Sequence, residues 1–307
     1  MPWTESDIPS QAGKTIMVTG ANSGIGFEAA RQLAAKGAQV LLACRDQTKG
    51  RQAADAIAAA GGKVQLVELD LADLGSIRRC AEAVRGAYPA LHALCNNAGV
   101  MAIPHRTTKD GFEMQLGTNH LGHFALTGLL LDRLLSTPSA RIVNVSSNAH
   151  KFGSMRWDDL QWQRSYRKWF AYCQSKLANL LFSYELQRRL DAAGAETISV
   201  ACHPGYAATN LQAVGPRMQG SSIGESVMTF ANSLFAQSAA QGALPTLYAA
   251  TALDVRGGDY IGPDGLGEQW GNPKKVQSNA RSHDEQAQRR LWEISEQLTG
   301  VHYEALH

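Results

Sequence analysis

The stretch Lys14-Thr-Ile-Met-Val-Thr-Gly-Ala-Asn-Ser-Gly-Ile-Gly26 decides how the rest of the chain is read. Its short apolar run, Ile16 to Val18, fits a buried strand, and a helical pattern begins at Phe27. Between them stand Gly20, Gly24 and Gly26. A glycine-rich turn from strand to helix brings backbone N–H groups close to a pyrophosphate at the helix N-terminus. The spacing is T-G-x-x-x-G-x-G rather than the commoner G-x-G-x-x-G, and three glycines also suit an ordinary tight turn. The stretch alone leaves both readings open.

The alternation continues outward from it. A helix is expected over 24–36, with Ile25, Ala29, Ala30 and Leu33 on one face and Gly37 as its C-terminal cap. Residues 39–43 form an unbroken apolar run after Gln39, the mark of a strand covered on both faces. Helices follow at about 49–60 and 74–87, and strands at 64–69 and 91–95. A long helical pattern runs from 111 to 135. A strand over 141–145, a helix over 172–190 and a strand over 198–202 come next. A helix near 239–252, a short strand near Tyr260 and a helix near 284–298 close the chain. Repeated strand–helix alternation predicts an α/β fold: one dinucleotide-binding domain over 1–307, with a doubly wound, mostly parallel sheet of about seven strands and helices on both faces. Its cofactor half is expected over about 14–150. Right-handed crossovers place the carboxyl ends of the parallel strands on one rim.

Composition narrows the function. The 307 residues include 44% hydrophobic and 18% charged, enough for a full core and too few charges for disorder. A net charge of +2 without a Lys/Arg run argues against nucleic acid as the main partner. Five scattered cysteines without a C-x-x-C pair suit a reducing cytosol and suggest no metal site. Met1-Pro-Trp-Thr-Glu-Ser-Asp7 has no basic n-region or apolar h-region, and no apolar stretch approaches the roughly 20 residues of a membrane span. A cytoplasmic protein without a membrane span is expected.

Several residues stand at strand ends where chemistry is placed in such folds. Cys44 and Arg45 follow the second strand, facing the adenosine ribose of a bound dinucleotide. A carboxylate there favours NAD, and an arginine accommodates the 2′-phosphate of NADP, so NADP(H) is expected to be preferred over NAD(H). Arg45 also reads as a solvated strand-end residue, and Asp46 is placed to neutralise it. Asp70 either accepts from the adenine amino group or caps its turn. Asn96-Asn97-Ala98-Gly99 suits close approach to a cofactor. Residues 148–171 carry Met155, Trp157, Trp162, Tyr166, Trp169 and Phe170, as core packing or as a substrate wall. With the Met- and Phe-containing segment in 206–237, they flank the expected substrate side. Tyr172 and Lys176 stack one helical turn apart, as an exposed pair or as a working one. Their helix is apolar on two faces, which suggests burial on both, the outer one by a second copy in a homo-oligomer.

In their order, Thr19-Gly20-x-x-x-Gly24-x-Gly26, Asp70-Leu71, Asn96-Asn97-Ala98-Gly99, Asn119, Ser147, Tyr172-x-x-x-Lys176 and Pro204-Gly205 with Thr209 resemble the short-chain dehydrogenase/reductase superfamily from Lys14 to about Tyr260. Ala43-Cys-Arg-Asp46, Asn119-His-Leu-Gly-His-Phe124, Ala171-Tyr-Cys-Gln-Ser-Lys-Leu-Ala-Asn179 and His203-Pro-Gly205 resemble its retinol dehydrogenase-like and protochlorophyllide reductase-like branch. The resemblance implies hydride transfer between a nicotinamide and a carbonyl or alcohol substrate, with an apolar one expected. Tyr172 would be the general acid or base, Lys176 its helper and a ribose ligand, Ser147 the donor to the substrate oxygen, and Asn119 the holder of a relay water. Gly20, Asn22, Ser23, Gly24, Ile25, Gly26, Arg45, Asp70, Leu71, Asn97, Ala98, Gly99, Pro204, Gly205 and Thr209 would join Tyr172 and Lys176 in holding the cofactor. A C=C reductase and a catalytically silent nucleotide sensor are the competing readings; the second predicts loss of Tyr, Lys or Ser, and all three are present.

Overall fold

The computed structural model describes residues 2–206 and 237–306. Eight strands form one sheet: β1 (Thr15–Thr19), β2 (Gln39–Cys44), β3 (Lys63–Glu68), β4 (Ala93–Asn96), β5 (Arg141–Val145), β6 (Ile198–Cys202), β7 (Tyr260–Pro263) and β8 (Pro273–Lys275). Their order is β3-β2-β1-β4-β5-β6-β7-β8, parallel throughout except for the β7–β8 pair. The sequence reading lacks β8, whose Pro-Lys-Lys has no apolar alternation and whose partner lies across a turn. Between β1 and β4 the connections reverse direction. This is the switch point where such sheets open a crevice beyond the strand ends.

The apolar strands are explained by cover on both faces. Ile16, Val18, Val40 and Leu42 point into one core layer with Ala29 and Leu33 of α1 (Gly24–Ala35), Ile57 of α2 (Gln47–Ala59) and, later in the chain, Leu247. Met17, Leu41 and Leu94 point the other way, toward Ile77 of α3 (Leu74–Ala87), Phe124 of α4 (Gly122–Leu129) and Phe182 of α5 (Lys168–Ala192). Leu247 belongs to α6 (Ala239–Thr251), and Trp292, packed on Phe124 and Phe182, to α7 (Glu285–Thr299).

Two expectations change. The pattern over 111–135 is several pieces, not one helix. The buried Glu113 carboxylate accepts from the Gln115 and Leu116 N–H groups and starts a turn at Met114. A π-helical turn, Gly117–Leu121, then leads into α4, which ends before a separate turn at Leu131–Leu135. Such wide turns concentrate at functional sites, and this one carries Asn119. The helix with two apolar faces starts at Lys168, four residues before Tyr172, and its outer face is covered by the chain itself. Leu177 and Leu181 pack with Leu291 of α7, and the Tyr184 ring stacks on His283 at 4.7 Å. That face therefore offers no argument for a second copy.

The aromatic segment 148–171 is largely packing. Leu160 and Trp162 are buried, Arg156 lies over the Trp162 ring at 4.2 Å, and the Tyr166 hydroxyl donates to the Ile103 carbonyl at 2.9 Å. Phe152, Trp169 and Phe170 are exposed. Among the described residues no helix is long and apolar enough to cross a membrane.

Candidate active site

A groove of about 490 Å³ runs along the strand ends across the switch point. Gly20, Asn22, Ser23, Gly24, Ile25 and Gly26 form its floor at the start of α1. Gly20 has φ +67, and a Cβ on it would lie 3.0 Å from the Ala98 Cα; one on Gly26 would press on the Gly20 carbonyl and the Asn97 amide. The Ser23 side chain does not cap α1, so the helix's first N–H groups stay available to an anion in the groove. A cradle that any Cβ would fill, ending at an uncapped helix N-terminus, fits a dinucleotide diphosphate.

Thr19 ties this floor to the opposite wall. Its hydroxyl oxygen accepts from the Asn97 and Ala98 N–H groups, each at 2.9 Å, and the Asn97 amide donates to the Thr19 carbonyl. His123 is buried beside it. Its Nδ1 donates to the Asn119 carbonyl at 3.1 Å, so its Nε2 carries no proton and accepts from the Thr19 hydroxyl at 2.9 Å. Burial lowers its pKa to about 4, which keeps that neutral tautomer. Neither Thr19 nor His123 was expected to serve the site; each shows its use only when β1, β4 and the π-helical turn come together.

Asp70, Leu71, Asn97, Ala98 and Gly99 line the middle of the groove. The Asp70 carboxylate accepts from the Ala72 N–H at 3.0 Å, which is the turn-capping reading. At the end of β2, Cys44 lies in the wall, near the Ala21 and Asn22 N–H groups. Burial pushes that thiol up to about 11. Arg45 and Asp46 stand next to it. Asp46 caps α2 by accepting from the Lys49 N–H at 3.0 Å, and its other oxygen lies 3.5 Å from the Lys49 ammonium. Among the described residues Asp46 does not pair with Arg45. Lys49, absent from the sequence expectations, faces the same end of the groove. Its position one helical turn past Arg45 was the available signal.

At the other end, Tyr172 and Lys176 of α5 enter the groove beside Val145, Ser146 and Pro204. Ser147 caps the short turn Asn148–Phe152, and its hydroxyl stands near that of Tyr172. Burial drives the Tyr172 phenol up to about 12, opposed by the nearby Ser147 hydroxyl. Burial likewise drives Lys176 down to about 8; its ammonium donates to the Val145 carbonyl at 3.0 Å and lies 5.8 Å from the Tyr172 ring centre. Asn119 sits behind Gly99. Its amide is bound to the protein: Oδ1 accepts from the Val100 N–H at 2.7 Å, and Nδ2 donates to the Val100 carbonyl and the Ser175 hydroxyl. Its backbone carbonyl accepts from His123 Nδ1. Gly205 follows Pro204 with φ +66. Thr209 lies outside the described residues, as does most of the 206–237 segment.

Comparison with known proteins agrees with this geometry. The family model for short chain dehydrogenases matches residues 14–219. Human retinol dehydrogenase 12 is 42% identical over 296 residues, spanning 95% of this chain and 88% of that protein. Human retinol dehydrogenase 13 is 44% identical over 307 residues, spanning 97% and 89%. A crystal structure of an uncharacterized protein from Mycobacterium paratuberculosis superposes with a TM-score of 0.81 at 44% identity, covering 99% of each chain. One from Beutenbergia cavernae, described as an NAD(P) dependent gluconate 5-dehydrogenase with bound NADP, gives 0.64 at 26% identity and covers 82% of this chain and 95% of its own.

Proposed function

This chain belongs to the short chain dehydrogenase family and is an NAD(P)-dependent oxidoreductase of its retinol dehydrogenase-like branch; from that premise we propose that it is an NADP(H)-preferring enzyme interconverting apolar carbonyl compounds and alcohols at Tyr172. The observation that carries the reading is that Tyr172 and, one turn along, Lys176 enter the end of the groove remote from Arg45, with the Ser147 hydroxyl near that of Tyr172.

The bound nicotinamide would supply or accept the hydride. The chain's own work is to hold the reactants and move a proton. Tyr172 gives its phenolic proton to the substrate oxygen in reduction and takes one back in oxidation. Ser147 donates to the same oxygen as charge develops on it. Lys176, charged below about pH 8, stabilises a phenolate and offers donors to ribose hydroxyls. A water held between its ammonium and the Asn119 carbonyl would pass the proton toward solvent. Pro204 and Gly205 close the nicotinamide end, and Thr209 is assigned there by the family motif.

Cofactor preference rests on the β2 end. With a thiol at position 44, the carboxylate at this end, Asp46, is engaged by the Lys49 N–H and ammonium, while Arg45 and Lys49 stand at the same end of the groove. A charge-assisted contact contributes roughly 1.5–3 kcal/mol, or about 10- to 150-fold in affinity. NADPH should bind more tightly than NADH by that order, and Arg45→Ala should abolish or reverse the ratio. Dissociation constants for both cofactors on both proteins test this; equal wild-type affinities would reject it.

Exposed Phe152, Trp169 and Phe170, close in sequence to Ser147 and Tyr172, support an apolar substrate. A screen of carbonyls and alcohols should therefore give higher kcat/KM for apolar compounds than for sugars or charged acids. The reverse ranking would reject the assignment.

A further inference from the structure

We propose that Glu268 and His203 form a positioning pair that fixes the Pro204-Gly205 turn against the nicotinamide end of the groove and holds it in register with the Ser147 turn. The proposal rests on the reading of that end as the nicotinamide site.

His203 follows β6, where its N–H donates to the Ile261 carbonyl at 2.9 Å, and its side chain is fully buried. The Gly205 N–H donates to His203 Nδ1 at 3.2 Å. A nitrogen that accepts carries no proton, so the ring's single proton is on Nε2, which donates to the Glu268 carboxylate at 3.1 Å. The carboxylate thus selects the one tautomer able to receive the Gly205 N–H. Without it, the ring is free to take the opposite tautomer, whose Nδ1–H would face the Gly205 N–H.

Glu268 is built into this place from both sides. Its backbone is left-handed, φ +59, a conformation that costs a non-glycine residue about 1 kcal/mol or more and persists only when its surroundings demand it. Its carbonyl accepts from the Asn148 amide at 3.1 Å, and its carboxylate lies 3.2 Å from the Lys151 ammonium. Both partners belong to the turn that Ser147 caps. The next residue, Gln269, accepts the Tyr206 N–H at 2.6 Å, beyond the Pro-Gly turn. Gly262 and Gly205 leave no room for side chains here: a Cβ on the first would press on the His203 ring, and one on the second on the Gln269 carbonyl. The segment 267–269 therefore ties the turn of the substrate-facing serine to the turn that walls the cofactor.

The charges around the imidazole agree. Glu268 is held down to about 2, chiefly by its bond to His203. His203 is kept below the ordinary histidine range by burial, with Lys151 opposing its charge and Glu268 favouring it. His150 and the Tyr260 phenol, whose ring centre is 5.2 Å from that of His203, are both held neutral by burial.

The test uses Glu268→Ala, Glu268→Gln, His203→Asn and the double variant His203→Asn/Glu268→Ala. The amide of Gln can still accept the Nε2–H, and an Asn oxygen at 203 can accept the Gly205 N–H with no tautomer to select. Two quantities are measured: amide exchange of the 203–206 peptide in the protein alone, and the NADPH dissociation constant. Loss of one hydrogen-bonded anchor should speed exchange and weaken NADPH by about tenfold in Glu268→Ala. Glu268→Gln should restore both, and the double variant should match His203→Asn rather than Glu268→Ala. Unchanged exchange and affinity in Glu268→Ala, or Glu268→Gln no better than Glu268→Ala, would overturn the pair. Exchange that responds as expected in a wild type that binds no NADPH would instead overturn the cofactor reading, and with it the pair's role in positioning the cofactor.

Discussion

Replacement of Tyr172 by Phe should lower turnover at least about 100-fold, the lower range for removal of a general acid–base group. The hydroxyl is the only group lost, and its described partner is Ser147, so the helix, the buried ring and the cofactor groove should be unchanged. The NADPH dissociation constant should stay within about twofold, less than the loss of one typical hydrogen bond. In the wild type, alcohol oxidation needs the phenolate, and burial holds that phenol near 12. Oxidation should therefore rise with pH between 7 and 9, by up to about tenfold per unit, and this rise should vanish in the variant. Steady-state rates in both directions with measured cofactor affinity decide the matter. Near-normal turnover in Tyr172→Phe would remove Tyr172 from the chemistry.

Acid should unfold this protein in a window set by histidines rather than carboxylates. His120, His123 and His150 are buried and neutral, held down to about 3, 4 and 4. His120 shows why. Its Nε2 donates to the Ser295 hydroxyl, whose own proton goes to the Leu291 carbonyl, and its Nδ1 has no partner among Phe124 and Phe182. In the unfolded chain each ring takes a proton near pH 6.5. Below that value the unfolded state binds more protons, so the stability these groups contribute is complete above pH 6.5 and is lost progressively down to their folded values. With three such groups, stability should fall by about 3 kcal/mol between pH 6 and pH 5. Urea midpoints at pH 7, 6 and 5 measure it. A midpoint unchanged across that range would mean the rings are protonated in the fold.

The fold was legible because the inner parallel strands are covered on both faces and read as largely apolar runs bounded by turn residues, while the edge strand β3 alternates instead. The glycine floor and the Tyr172/Lys176 spacing were legible because their geometry is local, within one turn of chain. What escaped was non-local or irregular. Strand β8 has no pattern of its own, and the π-helical turn at Gly117–Leu121 keeps helical periodicity while changing the winding. The outer cover of α5 comes from α7, so composition alone pointed to a second copy. His123 and Glu268 are ordinary residues in the sequence. The first meets Thr19 across 104 positions and the second meets His203 across 65, and only the folded sheet brings those ends together.

The enclosure of α5 also sets a timetable for the newborn chain. The strands that floor the nucleotide groove emerge early from the ribosome, and β1, β2 and β3 pair among themselves. Helix α5 leaves the exit tunnel after Leu116, Leu121 and Leu160, which pack with Leu177 and Leu181, but Leu291, which completes that cluster, is made roughly a hundred residues later. Until then the helix bearing Tyr172 and Lys176 lacks part of its apolar cover. A chain cut before α7 should therefore expose apolar surface of α5 and aggregate.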